Sequence, residues 1–407
     1  MAKAELTTTC AIAGGGPAGM MLGLLLARAG IDVTVIEKHE DFLRDFRGDT
    51  IHPSTLEVIH ELGLEDRFLQ LPHTRAHRLS AEIGGKTITM ADFSRLPVRN
   101  RFIAFMPQWD FLSFLSQEAA AYPNFRLMMA SEVVDVLDEG GRVCGVRLQT
   151  PDGLQTLRST LLVAADGRHS VVRQKAGLAV ETFGEPSEVV WMKLSKQPGD
   201  PAETMGHAGP RQGFVLIDRG DYWQCGFIVR RGTFADIRSG DLQAFRDQVR
   251  EVSPLPAERM EEIRSFDDVS LLQVRIDRLK RWWKPGLLAI GDAAHAMSPI
   301  GGVGVNLAIQ DAVAAGNILT LPLMENRLTD AHLAAVEKRR DFPTRATQRL
   351  QLMMRSSRRK DRADEERQKG PPAFLRGIAC VPALSHLAGR LMGLGFRMEH
   401  VRPPRPE

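Results

Sequence analysis

The chain has 407 residues, of which 43% are hydrophobic and 25% are charged, and this composition excludes a disordered or fibrous protein. Its 53 basic and 50 acidic side chains nearly cancel, so no overall field attracts nucleic acid. The cysteines are far apart and form no Cys-x-x-Cys pair, which argues against a metal site or a dithiol centre and favours the reducing cytoplasm.

The N-terminal segment predicts a dinucleotide site. Its first elements are a strand, a helix and a second strand, over 10–13, 20–29 and 32–36. Glycines spaced Gly-x-Gly-x-x-Gly join the first strand to the helix, and this spacing allows a tight turn and close approach of a pyrophosphate to the helix N-terminus. Glu37 ends the second strand, where a carboxylate accepts ribose hydroxyl groups. The predicted contacts are Gly14, Gly16, Pro17, Ala18, Gly19, Glu37 and Lys38.

The middle of the chain predicts a second, mostly antiparallel sheet. A hairpin is expected over 78–90, with the sequence Ile-Gly-Gly-Lys at its turn, and further strand-like runs occur over 189–229 and 268–274. Trp191 and Tyr222 alternate with other residues in these runs and are candidate substrate contacts. Together with Phe214 and Phe227 they also fit a second interpretation, in which they are ordinary core aromatics.

A second glycine-rich turn follows the apolar strand predicted over 287–290. Asp292 emerges at the carboxyl end of that strand, which is where open parallel sheets bind ligands. Pro299 and three glycines come next, and Asn306 is expected to open an apolar helix. The free amides at its start would be those of Gly304, Val305 and Asn306. A reduced flavin carries negative charge that such amides stabilise, so we predict that the two turns hold the two ends of one FAD.

Three motifs, at 14–19, 166–173 and 291–306, resemble those of the flavoprotein aromatic hydroxylase family, the single-component FAD monooxygenases with the p-hydroxybenzoate hydroxylase fold. The middle one resembles the family's Asp-Gly motif and implies that Asp166 serves FAD and the nicotinamide cofactor. Arg47 and Gln108 resemble residues that contact the flavin nucleotide in the family. Val303 departs from the pattern, because many members have Gln there.

The resemblance implies a reaction in which NADPH or NADH reduces FAD, O2 adds at the flavin C4a position, and the hydroperoxide oxidises an aromatic or other hydrophobic small molecule. The backbone at Pro299 would then lie beside the reactive edge. His52 is a candidate for a group near the flavin or a substrate proton, or else it is simply a turn residue. Two other functions keep the same glycine turns: an FAD oxidoreductase that does not insert oxygen, and a flavin-binding redox sensor whose basic 338–369 segment is the working surface.

These features predict an α/β fold with a Rossmann-like FAD-binding domain and its parallel sheet, interleaved with a mostly antiparallel substrate domain and followed by a helical C-terminal region. The expected FAD-binding ranges are 1–75, 105–180 and 285–330. The expected substrate ranges are 76–104 and 181–284, and the helical region is 331–407, with a break at Pro371 and Pro372. Glycine, proline or charge interrupts both apolar tracts, so no transmembrane segment is predicted, and the protein is expected to be a monomer or a homodimer.

Overall fold

The structure is a computed structural model that describes residues 5–43, 50–83, 86–201, 204–208, 213–364 and 382–402. Its strands are β1 (Leu6–Ala13), β2 (Val33–Ile36), β3 (Thr50–Ile51), β4 (Thr74–Ala76), β5 (Arg78–Ile83), β6 (Lys86–Asp92), β7 (Ile103–Phe105), β8 (Phe125–Met128), β9 (Glu132–Glu139), β10 (Arg142–Thr150), β11 (Gly153–Ala164), β12 (Val180–Ser195), β13 (Met205–Ala208), β14 (Gly213–Asp218), β15 (Tyr222–Arg230), β16 (Val269–Leu279), β17 (Trp283–Lys284) and β18 (Leu287–Ala289).

The helices are α1 (Pro17–Arg28), α2 (Pro53–Glu61), α3 (Glu65–Phe68), α4 (Gln108–Ala120), α5 (Val171–Lys175), α6 (Thr233–Ser239), α7 (Leu242–Val252), α8 (Val303–Met324), α9 (Asp330–Asp364) and α10 (Pro382–Gly393). Short 3-10 helices lie at Ala257–Glu262, Phe266–Asp268, Gly291–Ala293 and Ile300–Gly302.

One sheet has a parallel centre and carries the three predicted motifs. Its strand order is β17-β18-β11-β1-β2-β8, and β10 and β9 extend it from β11. Residues 10–13, 161–164 and 287–289 of the central strands are buried apolar runs, as expected where both faces of a parallel sheet are covered. Ala13 of β1 pairs with Ala164 of β11, which pairs with Ala289 of β18, so these three strands end side by side. The loops that carry the motifs therefore leave the same edge of the sheet.

The second sheet is antiparallel except at one strand pair. Its order is β16-β12-β15-β14-β13-β5-β6, and within this sheet only β13 and β5 run parallel among the described strands. One face packs on α6, α7 and the adjoining 3-10 segment and includes Phe214 and Phe227, so the core interpretation holds for these two residues. Trp191, Val215 and Ile217 lie on the opposite face, which we call the inner face. This face packs against the small sheet β3-β7-β4 and against α10.

This architecture confirms the predicted fold class, with three adjustments at the level of elements. Helix α1 begins at Pro17, ahead of the predicted start. Helix α8 begins at Val303, so Asn306 lies in its first turn, and the prediction that Asn306 opens the helix is wrong. The hairpin β5-β6 is present, but its tip at 84–85 lies outside the described residues, as does the Pro371-Pro372 break. The domain boundaries stay a prediction.

Helix α8 is the apolar helix at the centre of the molecule. The segment Ile300–Met324 is long and apolar enough to cross a membrane by length and composition alone, yet 78% of its most apolar window is buried inside the protein. Such burial is typical of a core helix. At the far end of the described chain, Glu399 and His400 lie against α8 and α2: the Glu399 amide donates to Gln310 at 2.5 Å, and His400 pairs with Glu61 at 2.5 Å.

Candidate functional site

The first glycine turn packs directly on the Asp-Gly motif. Gly14 has a φ of 108°, and a Cβ there would lie 2.3 Å from the carbonyl oxygen of Ala165. A Cβ at Gly19 would lie 2.0 Å from the carbonyl oxygen of Gly14, so this glycine lets α1 pack on β1. Gly16 differs, because no atom lies within 4 Å of its Cβ position. The open side of the turn is therefore at Gly16, where the helix N-terminus begins.

Glu37 lies beside this turn, as the sequence predicts for a ribose contact. Its Oε2 accepts a hydrogen bond from the Gly15 amide at 3.0 Å, and its Oε1 accepts one from the His39 amide at 3.1 Å. Both oxygens are thus oriented by backbone amides at the rim of the turn. Lys38 is exposed, and Pro17 and Ala18 form the first turn of α1.

Asp166 holds a buried oxygen that lacks a partner. Its Oδ2 accepts a hydrogen bond from the Val172 amide at 3.1 Å, whereas its Oδ1 is buried with no hydrogen-bond partner among the described residues. Burial raises the pKa of this carboxyl. Burying a carboxylate oxygen without a hydrogen-bond donor destabilises the folded protein. A ligand hydroxyl that donates to Asp166 Oδ1 would therefore stabilise the folded state.

Asp292 lies on the same edge of the sheet, at the start of the second turn. Its Oδ2 accepts a hydrogen bond from Arg168 of the Asp-Gly motif at 3.2 Å, and both side chains are partly exposed. The ion pair joins the second and third motifs. It brings together loops that are more than a hundred residues apart in the chain.

The second turn presents the N-terminus of α8. Gly302 has a φ of 63°, and its carbonyl accepts a hydrogen bond from Thr50 Oγ1 at 2.9 Å. The free amides of the first turn are those of Val303, Gly304 and Val305, and the space at the Cβ position of Gly304 is open. Asn306 has another role, because its Oδ1 accepts hydrogen bonds from Ser54 at 2.6 Å and from Thr55 at 2.9 Å. Its side chain ties α8 to α2.

The remaining predicted residues are distributed around this edge. Gln108 begins α4 and is partly buried, and Pro299 precedes the 3-10 segment of the second turn. Tyr222 is partly buried on the inner face of the antiparallel sheet, with the ammonium of Lys193 at 4.2 Å from its ring centroid. Trp191 shares that face, and its buried Nε1 has no hydrogen-bond partner among the described residues. Arg47 lies outside the described residues.

A buried ionic cluster behind the second turn is missing from the sequence predictions. Asp311 of α8 accepts hydrogen bonds from the Gly291 amide at 3.0 Å, from His295 Nε2 at 2.5 Å and from Arg340 Nε at 2.9 Å. Arg340 also pairs with Glu399 at 3.4 Å. Burial alone would raise the pKa of Asp311, but His295 and Arg340 hold it below its usual value. An acid in the middle of an apolar helix is the sequence signal that could have indicated this cluster.

His52 is fully buried between α2, the second turn and α10. Its Nδ1 lies 2.9 Å from the carbonyl oxygen of Met392, which fixes the Nδ1–H tautomer, and its Nε2 has no hydrogen-bond partner among the described residues. Burial lowers the pKa of His52 from 6.5 to about 4, although nearby backbone carbonyls act in the opposite direction. The ring is therefore neutral near pH 7.

The lowered pKa of His52 predicts that the folded protein loses stability in acid. Between pH 6.5 and 4 the unfolded chain binds a proton that the folded state excludes, so the free energy of unfolding falls as the pH falls. We expect a slope of about 1.4 kcal/mol per pH unit from this group, absent in His52→Gln, which keeps a donor toward Met392. Urea unfolding of the wild type and of His52→Gln at several pH values across this range measures the two slopes. Parallel curves would contradict the prediction.

The residues of this edge fit FAD. The open glycine turn suits a pyrophosphate, Glu37 suits a ribose, and Asp166 Oδ1, which lacks a hydrogen-bond partner among the described residues, suits a ligand hydroxyl. The amides that begin α8 suit the electron-rich end of a flavin. Fold and site together define an FAD-binding protein in which an antiparallel sheet adjoins the coenzyme domain.

Comparison with known proteins gives the family. A family model described as an FAD binding domain matches residues 7–350, so the chain belongs to the FAD-binding flavoprotein monooxygenases that include the aromatic hydroxylases, and the predicted resemblance is confirmed. The chain is 33% identical over 351 residues to the 6-methylpretetramide 4-monooxygenase of Streptomyces rimosus, with 85% of this chain and 83% of the relative covered.

Two further relatives extend the comparison. The chain is 29% identical over 317 residues to a rifampicin monooxygenase of Streptomyces venezuelae, covering 75% of this chain but only 62% of that protein. The solved structure of the p-nitrophenol 4-monooxygenase PnpA from Pseudomonas putida DLL-E4 matches with a TM-score of 0.75 at 19% identity, over 96% of this chain and 95% of that one. The structural match shows the shared fold.

Proposed function

We propose that this protein uses FAD, NAD(P)H and O2 to hydroxylate an aromatic or related hydrophobic small molecule. Per turnover, one substrate C–H becomes C–OH, NAD(P)H and a proton are consumed, and the second oxygen atom leaves as water. The observation that carries the proposal is the convergence of the three motif loops at one edge of the parallel sheet, where β1, β11 and β18 end side by side. The named relatives, which are monooxygenases, support the same reaction class.

Bound FAD would supply the electron transfer to O2 and the insertion of one oxygen atom. The chain's own part is binding. The Gly16 amide at the start of α1 would hold the pyrophosphate, Glu37 would hold a ribose, and Asp166 Oδ1 would accept a hydrogen bond from a flavin-chain hydroxyl. Gln108 and Asp292, at the same edge, are the further predicted contacts.

The helix α8 supports the flavin ring electrostatically in this proposal. Its first-turn amides, at Val303, Gly304 and Val305, carry the positive end of the helix dipole. These amides would stabilise negative charge on a ring bound near them without any side chain. This explains how Val303 can replace the Gln of other members, because the backbone amides remain in place.

The inner face of the antiparallel sheet would form the substrate side. Val215 and Ile217 belong to an apolar layer there, beside Trp191 and Phe105. An apolar layer excludes water from the reacting groups and binds an aromatic ring by burying its apolar surface. Trp191 adds an indole N–H that has no partner among the described residues and is therefore available to a substrate oxygen.

The reaction is tested with the protein loaded with FAD. We expect NADPH or NADH to reduce the flavin, oxygen uptake to increase with an accepted phenol, and one labelled oxygen atom to enter the product under 18O2. Substrate turnover without oxygen uptake would instead support the non-oxygenating oxidoreductase. Flavin that stays oxidised with both nicotinamides and every aromatic tried would support the redox sensor.

A further inference from the structure

Helix α10 contributes to the apolar layer beside the inner face, although it comes from the C-terminal part of the chain. Ala388 and Met392 of this helix pack against the cluster that contains Ile217 and Trp191. The family match ends at residue 350, so α10 lies outside the matched range. A wall built from this helix is therefore a feature that membership of the family does not by itself imply.

Two glycines let α10 pack closely on its neighbours. A Cβ at Gly389 would lie 2.1 Å from the carbonyl oxygen of Asp92, at the end of β6. A Cβ at Gly393 would lie 3.0 Å from Leu96 Cδ1 and 3.2 Å from Pro53 Cγ. Sliding of the helix would bring larger side chains against these groups. The close contact therefore fixes where the residues between the two glycines lie.

Met392 lies over the second turn. Its Cε is 3.3 Å and its Cγ is 3.8 Å from the Cβ position of Gly301, which has a φ of 78°. The carbonyl oxygen of Met392 accepts the hydrogen bond from His52 Nδ1 at 2.9 Å, so the contact with His52 holds the main chain and not the thioether. The side chain is thus anchored at its backbone and keeps the freedom of an unbranched thioether.

The apolar layer near Met392 is not fully packed. Met392, Trp191 and Val215 are partly exposed. Phe105 and Ile217, in the same layer, are buried. The Nε1 of Trp191 adds a buried hydrogen-bond donor that has no partner among the described residues. Partly exposed apolar side chains and one free donor, next to the turn expected to hold the flavin, fit an aromatic molecule that carries an oxygen atom.

We propose that Met392 determines the size of the aromatic ring system that fits between the inner face and the second turn. The inference rests on the proposed function. The thioether closes this space on the α10 side, where it contacts Gly301, and a sulfur atom beside an aromatic ring is a favourable contact. A smaller side chain at position 392 therefore admits a larger ring system, and a bulkier one excludes it.

Titration of the FAD-loaded protein with 2-naphthol and with the larger 9-phenanthrol tests the proposal, with the change in flavin absorbance as the measure of binding. We expect Met392→Ala to raise the affinity for 9-phenanthrol relative to that for 2-naphthol by at least about tenfold, the lower end of what one methylene changes in an apolar pocket. Met392→Phe should lower this ratio of affinities. Met392→Leu nearly conserves the volume and should keep the ratio of the wild type.

The matched control is Met324→Ala, which removes the same side chain from an exposed position at the end of α8. This position is about 30 Å along the helix from the second turn, so the ratio should not change. All variants at position 392 keep the hydrogen bond to His52, because that bond uses the main-chain carbonyl. A change in the ratio therefore reports the side chain.

The proposal would be overturned by an unchanged ratio in Met392→Ala and Met392→Phe, by an equal change in Met324→Ala, or by the absence of any effect of both phenols on the flavin absorbance. Because binding is measured without NAD(P)H, its failure is separate from that of the hydroxylase function. Oxygen insertion together with an unchanged ratio would remove the role of Met392 alone. A ratio that depends on Met392 in a protein that never consumes oxygen would remove the hydroxylase function alone.

Discussion

Asp311→Asn is expected to lower the free energy of unfolding by about 3–5 kcal/mol, because it removes the negative partner of a buried ion pair and leaves the positive partner buried. The wild-type carboxylate accepts hydrogen bonds from Gly291, His295 and Arg340 in a site where no atom of Asp311 meets solvent. Asparagine offers one acceptor oxygen to three donors and leaves the Arg340 guanidinium with Glu399 as its only nearby acid among the described residues. Urea unfolding of the FAD-free protein measures the loss.

The control for this variant is Asp247→Asn. Asp247 pairs with Arg250 at 3.0 Å on the exposed side of α7, where an ion pair typically contributes less than about 1 kcal/mol. The two substitutions remove the same charge and differ mainly in burial. A loss below about 1 kcal/mol for Asp311→Asn would show that the cluster is not the stabilising centre that the geometry indicates.

Gly19→Ala is expected to destabilise the protein by about 3 kcal/mol or more, the upper range for overpacking, because the methyl group meets backbone. The new Cβ would lie 2.0 Å from the Gly14 carbonyl oxygen and 3.2 Å from Ile12 Cγ2. To relieve this steric clash, α1 has to move away from β1, and that movement also opens the turn at Gly16. We expect lower stability in the absence of FAD, measured by urea unfolding, and a loss of FAD binding with it.

Gly16→Ala separates coenzyme contact from folding. The residue has a φ of −75°, which alanine adopts freely, and its Cβ position is open, so stability without FAD should match the wild type or rise by up to about 1 kcal/mol. The methyl group would occupy the space predicted for the pyrophosphate. We expect FAD affinity, measured by fluorescence titration of the FAD-free protein, to fall at least about tenfold. Wild-type affinity would contradict the coenzyme placement.

Local sequence patterns were sufficient to predict the elements around the first glycine turn and β18. The Gly-x-Gly-x-x-Gly spacing has one backbone solution between a strand and a helix, so the turn at Gly14 and the carboxylate of Glu37 followed from the chain alone. The apolar run that became β18 was equally clear, because a strand buried on both faces needs that composition.

The face of the antiparallel sheet on which a side chain lies depends on long-range packing. Alternation in β12 and β15 predicts two faces, but only the position of α6 and α7 decides that Phe227 is core and that Trp191 faces the other way. Helix α8 starts at Val303 rather than at Asn306 because Gly301 and Gly302, just before it, have left-handed backbone conformations. Glycine permits this conformation but does not require it, so the sequence alone does not predict the start of the helix. The partners of Asp311 come from two separate segments, the second turn and α9, so no local sequence pattern predicts them.

The contacts of Glu399 have a consequence for the order of events during synthesis. Glu399 neutralises Arg340, which orients Asp311, which in turn holds the Gly291 amide at the second turn. A segment translated long after that turn therefore completes its electrostatic support. On the ribosome, the second turn therefore reaches its full set of contacts only after Glu399 has emerged.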